Sequence, residues 1–198
     1  MIYCFNKIYY LFKYIYHRIF TPFYKIGWPV VFCHDSIVIN SRYIALGNNV
    51  VIKENARIQV DHSQHLKFGN HKPKLKIGNN VTIGKGSTIS AVSNIEIEDD
   101  AGMAGYCFIA DNSHGYQKID IPIKYQELTN IKPIKIKNGA WLGWGVVVMP
   151  GVTIGRNSVI GANSVVNSDV PDYSVAVGAP AKIVKRYDIK SKTWQKVK

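Results

Sequence analysis

The stretch IGNNVTIGKGST, residues 77–88, holds two copies of one six-residue unit. Each copy opens on an aliphatic residue (Ile77, Ile83), reaches Asn80 or Gly86 at its fourth place, and continues with Val81 or Ser87 at its fifth. Asn and Gly tolerate a left-handed backbone, so the fourth place reads as a tight corner. Places five and one are two residues apart, hence on one face of a short extended segment, and both point inward. Each unit is therefore one flat strand and one corner.

The register extends in both directions. First places fall at Leu46, Ile52, Ile58, Ile77, Ile83, Ile89, Ile97, Met103, Ile109, Ile136, Leu142, Val148, Ile154, Ile160 and Val166, fifteen units in all. The fourth place is Asn, Gly or Asp in thirteen of them, and the fifth is Val, Ala, Ser or Cys in fourteen, with His62 the exception. Three units close a triangular coil, and coils stacked at a strand spacing of about 4.8 Å pair every backbone group with the coil above or below. The product is an all-β parallel β-helix. A β-sandwich is excluded because its strands do not repeat every six residues.

The rhythm stops at IADNSHGYQ, residues 109–117, and returns about twenty residues later. The intervening GYQKIDIPIKYQELTNIKP, residues 115–133, has no six-residue register and two prolines, and reads as one extended loop leaving a corner. In register, Asn112 is a corner residue and Ser113 an inward small residue. His114 occupies the outward sixth place, at the mouth of the loop.

Composition narrows the partners. Lys and Arg outnumber Asp and Glu 25 to 13, a net charge of +12 that favours an anionic partner: nucleic acid, a phospholipid surface or a phosphorylated small molecule. The basic residues gather at the ends, since the first acid is Asp35 and seven Lys or Arg follow from Lys182 onward against Asp188. Three cysteines without paired spacing suggest neither a disulfide framework nor a zinc motif, and fit a reducing compartment. Lys7, Lys13 and Arg18 interrupt the apolar start, which argues against a signal peptide or a membrane span.

IGNNVTIGKGST and VVVMPGVTIGRNSVIGANSVV, residues 146–166, resemble the hexapeptide-repeat acyltransferases, a likeness that covers roughly residues 44–185. The resemblance implies a left-handed β-helix, against the usual right-handed crossover. It implies homotrimers with the active site in the groove between neighbouring subunits, and acetyl-CoA as donor without a metal. The run DNSH, a loop, then AWLGWGVVVMPGVTIG is similar to the sugar O-acetyltransferases, whose essential histidine stands where a coil gives way to a loop. On that likeness His114 is the general base that takes the proton from a sugar hydroxyl attacking the thioester. Asp111 and Asn112 are candidates for binding the acceptor, and Asp111 also for orienting the imidazole, although solvation explains an outward polar residue equally well.

For the donor, the resemblance assigns cofactor contacts to Trp144, Ala162, Asn167, Ser168, Lys182 and Lys185. Trp144 stands where many relatives have a small residue, so its indole either lines the groove or alters the acceptor pocket. Asn167-Ser168 replaces a common Thr-Lys pair, and Lys182 and Lys185 of VGAPAKIVKR, residues 177–186, offset that loss by meeting nucleotide phosphates. Cys107 falls in the small inward place and is no nucleophile. His62, His65 and His71 of DHSQHLKFGNHKPK suggest the zinc site of γ-class carbonic anhydrases, which share this fold, but lack that family's arrangement.

The first twenty residues follow another rule. Phe5, Ile8, Phe12, Ile15 and Ile19 keep helical spacing, and Pro22 ends the helix. Two placements are open: a cap over the first coil, whose strand edges would otherwise be exposed, or the inner surface of the cytoplasmic membrane, where Tyr and Trp suit the interface and Lys and Arg meet anionic lipid. The chain is therefore divided into an aromatic, basic helical segment (1–34), a β-helix acetyltransferase domain (35–186, loop 115–133) and a solvated basic tail (187–198). The expected activity is cytoplasmic O-acetylation of a sugar or lipid-linked glycan in bacterial polysaccharide or lipopolysaccharide assembly, with no nucleic-acid partner. N-acetylation of a nucleotide-linked amino sugar, a zinc enzyme and a non-catalytic scaffold are the rival readings.

Overall fold

Every first-place residue of the repeat is buried, from Leu46 to Val166, and together they form the axial core of a three-sided prism. The computed structural model describes residues 2–61 and 74–197. Its three parallel sheets are the faces of a left-handed β-helix. Face one carries Lys25–Ile26, Ile44–Leu46, Leu75–Ile77, Ile95–Ile97, Ile134–Ile136 and Thr153–Ile154. Face two begins at Val30–Phe32 and face three at Ile37–Ile39, and each adds one short strand per coil. On face three Ile58, Ile89, Ile109, Val148 and Val166 stack in register, so one aliphatic column runs through five coils. Each such side chain contributes about 2 kcal/mol when fully removed from water.

The corners are left-handed as expected: Asn49, Asn55, Asn80, Asp100, Asn157, Asn163 and the glycines 86, 139, 145 and 151 have φ between 49° and 87°. Tyr106 shares this conformation at φ 59°, a bulky residue where the repeat calls for Asn or Gly. Side chains stitch the first corner from coil to coil: the amide of Trp28 donates to Asn48 Oδ1, that of Asn48 to Asn79 Oδ1, and that of Asn79 to Asp99 Oδ1, at 2.7–2.9 Å.

Departures from the six-residue step at 41–43, 92–94 and 111–133 all fall on the edge between face three and face one. The corner expected at Asn112 is absent from the left-handed set, and Ser113 is half-buried rather than inward. The register thus breaks at Asp111, earlier than the sequence reading placed it. Ser113–His114 instead pairs antiparallel with Leu128–Thr129, so the long loop is a small hairpin standing on its own edge of the prism.

Two boundaries differ from expectation. Coiling begins at Lys25, ten residues before the 34/35 division, because Lys25–Ile26, Val30–Phe32 and Ile37–Ile39 already make a first coil. The basic tail beyond 187 is largely exposed, as expected of a solvated segment, but it is built into the fold: Lys182–Asp188 and Thr193–Lys196 add two antiparallel strands to face two. The helix α1 (Ile2–Phe20) caps the first coil, one of the two placements the sequence leaves open, and it docks through a face other than its aliphatic one. Tyr14 is 4% exposed, edge-on to Trp28 at 4.6 Å, and His17 stacks on the inward Phe32 at 4.2 Å. Phe12, Ile15 and Ile19 face outward.

Candidate active site

The carboxylate of Asp111 is 0% exposed and accepts the backbone N–H groups of Val92, Ser93 and Asn94 at 2.7–2.8 Å. Asn112 Nδ2 adds a fourth contact at 3.2 Å. Asp111 was expected as an outward residue that could orient the imidazole or bind an acceptor. With both oxygens committed and no accessible surface, it does neither: it satisfies a corner of the preceding coil, where the Val92 amide would otherwise be buried unpaired and those of Ser93 and Asn94 only partly reached by water. Asn112 is half-buried and lines the cleft beside His114.

His114 is exposed at the edge of face three, opposite Leu128 of the hairpin. It borders a cleft of about 390 Å³ whose floor is the outward side of face three. Gln59, Ser90, Ala110 and Met149 hold the place after the buried aliphatic residue in successive coils, and stack there as a ladder. Gln59 Nε2 donates to Ser90 Oγ at 3.0 Å, while Arg57 Nε donates to Gln59 Oε1 at 2.6 Å. Phe108, exposed beside this ladder, and Leu128 supply apolar walls. The cleft thus offers an exposed imidazole, the exposed carboxylate of Asp61, neutral hydrogen-bonding groups and apolar surface. Sequence reading missed these floor residues. The signal for them is positional: they are the second-place residues of the third unit in each coil.

The six donor candidates do not converge on one spot of a single chain. Trp144 and Ala162 lie on the edge between faces two and three, where the amide of Asn163 donates to the Trp144 carbonyl at 2.7 Å. Both are exposed. Trp144 packs its ring on Tyr106 at 4.8 Å, and this shelf is possible because Gly105 leaves the space: a Cβ there would come within 2.6 Å of the indole. Asn167 and Ser168 are exposed past the other edge of face three, the edge that also carries His114. Lys182 and Lys185 are exposed on the first antiparallel strand, with Lys182 beside Ser168 in a separate hollow. Face three therefore separates the Trp144 group from the His114 edge.

Cys107 is buried with Sγ 3.2 Å from the Gly143 carbonyl, and burial pushes its thiol up, away from the thiolate form. His62, His65 and His71 lie outside the described residues. Among the described residues no three His, Cys, Asp or Glu side chains gather as a metal site, and no helix is long and apolar enough to cross a membrane.

Known proteins agree with this architecture. The bacterial transferase hexapeptide (six repeats) family matches residues 133–168, and the hexapeptide repeat of succinyl-transferase matches residues 74–102. A probable acetyltransferase of Mycobacterium tuberculosis, Rv3034c, is 35% identical over 90% of this chain and 62% of its own. The putative lipopolysaccharide biosynthesis O-acetyl transferase WbbJ of Escherichia coli is 36% identical over 59% of this chain and 63% of its own. The chain thus spans about three fifths of the length of these two relatives. Among solved structures, the N-acyltransferase AntD of Bacillus cereus, in complex with dTDP and coenzyme A, has a TM-score of 0.70 at 21% identity over 88% of this chain and 89% of its own. That likeness is one of fold. A maltose O-acetyltransferase of Clostridium difficile has a TM-score of 0.54 at 26% identity over 84% of this chain and 71% of its own. The putative acetyltransferase YJL218W of Saccharomyces cerevisiae is 31% identical over 81% of this chain and 68% of its own. With the repeat, the left-handed prism and a relative matched over two thirds of its length in agreement, the chain belongs to the hexapeptide-repeat acyltransferase family.

Proposed function

We propose that this protein transfers an acetyl group from acetyl-CoA to a sugar hydroxyl, with His114 as the general base. The observation that carries the reading is the exposed imidazole on the rim of the 390 Å³ cleft, walled by the hairpin and floored by Gln59 and Ser90. A neutral imidazole nitrogen accepts the hydroxyl proton as the sugar oxygen attacks the thioester carbonyl. The C–S bond then breaks, and the departing thiolate takes the proton back from the imidazolium, so the base is regenerated. Neutral amide and hydroxyl groups on the floor suit sugar hydroxyls, and Phe108 suits the apolar side of a pyranose ring.

A homotrimer follows as part of the same proposal. The Trp144 and Ala162 edge and the His114 edge stand on opposite sides of face three, so a donor lying between two copies meets one edge from each. Lys182 and Lys185 are the groups for the nucleotide phosphates, and Asn167 and Ser168 contact the donor along its path. Similarity to WbbJ supports a place in lipopolysaccharide biosynthesis.

The test is release of free thiol from acetyl-CoA across a panel of hydroxyl-only sugars and amino sugars. Acceptor-dependent release with hydroxyl-only sugars is the expected result. Release with amino sugars alone would replace the reading by N-acetyl transfer, and absence of acetyl-CoA binding would leave a non-catalytic scaffold.

A further inference from the structure

The helix that closes the first coil turns its most apolar side away from the protein. With 3.6 residues per turn, roughly 100° per residue, Phe12, Ile15 and Ile19 centre about 160° from Tyr14 and His17, which dock on the coil. Phe12 is 67% exposed, Ile19 65% and Phe20 70%, with Leu11, Ile15 and Tyr16 completing the stripe. Docking itself is aromatic and polar: Tyr14 Oη donates to the Gly27 carbonyl at 3.3 Å, and Lys13 Nζ donates to the Cys33 carbonyl at 2.6 Å and to Ser36 Oγ at 3.2 Å. The coil end is therefore already covered without these aliphatic side chains. A contiguous apolar stripe left outside serves a further contact.

We propose that this stripe of α1 lies in the headgroup region of an anionic bilayer and holds the prism end-on to the membrane. Three observations favour a lipid surface over a protein partner. The stripe is the convex back of a single helix at the end of the prism, which a fluid bilayer accepts directly, whereas a protein would need a matching groove. Residues 1–34 contain Lys7, Lys13, Arg18 and Lys25 and no Asp or Glu, and although Lys13 is engaged with the coil beside Asp35, the balance at this end stays positive and complements anionic phosphates. Arg18 is exposed beside the stripe, with one guanidinium nitrogen on Tyr14 Oη at 2.6 Å. Tyr16, Tyr24 and Trp28 stand exposed around the same end, and such rings settle at headgroup depth. The helix meets no criterion for crossing the membrane, so it lies on the surface.

The coil bearing His114 is the fourth, roughly 15 Å along the axis from the first at about 4.8 Å per coil, and the thickness of α1 adds about 10 Å between the first coil and the bilayer. On the acetyl-transfer reading, that height suits an acceptor sugar carried on a lipid. The membrane contact itself does not depend on that reading, and its test does not measure catalysis.

The test is flotation of the full chain with vesicles of phosphatidylcholine alone and of phosphatidylcholine with phosphatidylglycerol, comparing wild type with Phe12→Ser/Ile19→Ser. Wild type is expected to float with the anionic vesicles, and the double variant to bind at least about tenfold more weakly, since two large apolar side chains no longer enter the bilayer. Because both residues are exposed, the variant keeps its thermal unfolding temperature and solution mass. Wild type that does not float, or a variant that floats equally well, overturns the proposal. So does a variant whose solution mass falls, because the stripe is then a contact between copies.

Discussion

The amide of Lys132 donates to the carbonyl of Asp111 at 2.9 Å, so the excursion that carries His114 leaves and rejoins the prism at one hydrogen bond. The side chain of the same Asp111 holds the corner 92–94 of the coil before it. One residue thus ties the excursion's two ends to each other and to the rigid stack. Asp111→Ala strips one buried and two half-buried amides of their acceptor and is expected to lower stability by about 3 kcal/mol in urea unfolding. Asp111→Asn recovers only part of this, because its NH₂ group faces donors. An unchanged urea midpoint in Asp111→Ala would show that the corner is held by other means.

The prism was legible in the sequence because its rule is local: a six-residue step, a corner residue and a small inward side chain. All first-place residues are buried, and left-handed corners recur at ten of the thirteen expected Asn, Asp and Gly positions, with Asn112 and Asp169 among the exceptions. The misreadings arise where a contact between coils overrides the local rule. Asp111 looks outward in register, but the amides that claim it belong to residues 92–94, one coil away. Tyr106 takes a left-handed corner that its own type disfavours, supported by its packing on Trp144. The helix shows the same lesson: aliphatic spacing identified the stripe of Phe12, Ile15 and Ile19, while docking was decided by Tyr14 and His17, whose partners Trp28 and Phe32 lie on the first coil.

Close coil stacking makes some glycines irreplaceable for reasons of space. A Cβ on Gly84 would lie 2.0 Å from the Ala104 carbonyl oxygen, a backbone atom of the next coil. Gly84→Ala is expected to cost about 3 kcal/mol, seen as a lower thermal midpoint. A variant as stable as wild type would mean that the coils separate there without penalty.

Helix docking carries a pH dependence of known sign. Burial against Phe32, and then the charge of Lys13, hold the His17 imidazole below its ordinary pKa of 6.5. The folded state disfavours protonation of this ring relative to the unfolded chain. Its contribution to stability is therefore full above the ordinary imidazole value and is lost progressively as pH falls through it toward the depressed folded value. Thermal unfolding followed across this window should fall less steeply in His17→Phe than in wild type. Parallel curves would contradict the assignment.

The Tyr106 and Trp144 shelf belongs to the donor groove in the proposed reading. Trp144→Ser is expected to raise KM for acetyl-CoA about fivefold, near 1 kcal/mol of lost ring contact, with kcat retained. A change confined to the acceptor KM would instead assign the indole to the sugar pocket.

The central claim is that one imidazole performs the proton transfer. The most direct measurement is kcat/KM for acetyl transfer by His114→Ala, alongside its acetyl-CoA affinity and thermal midpoint. The account predicts a loss of about 10²- to 10⁴-fold in turnover with the exposed site leaving affinity and folding unchanged. Full acceptor-dependent turnover in that variant would contradict it.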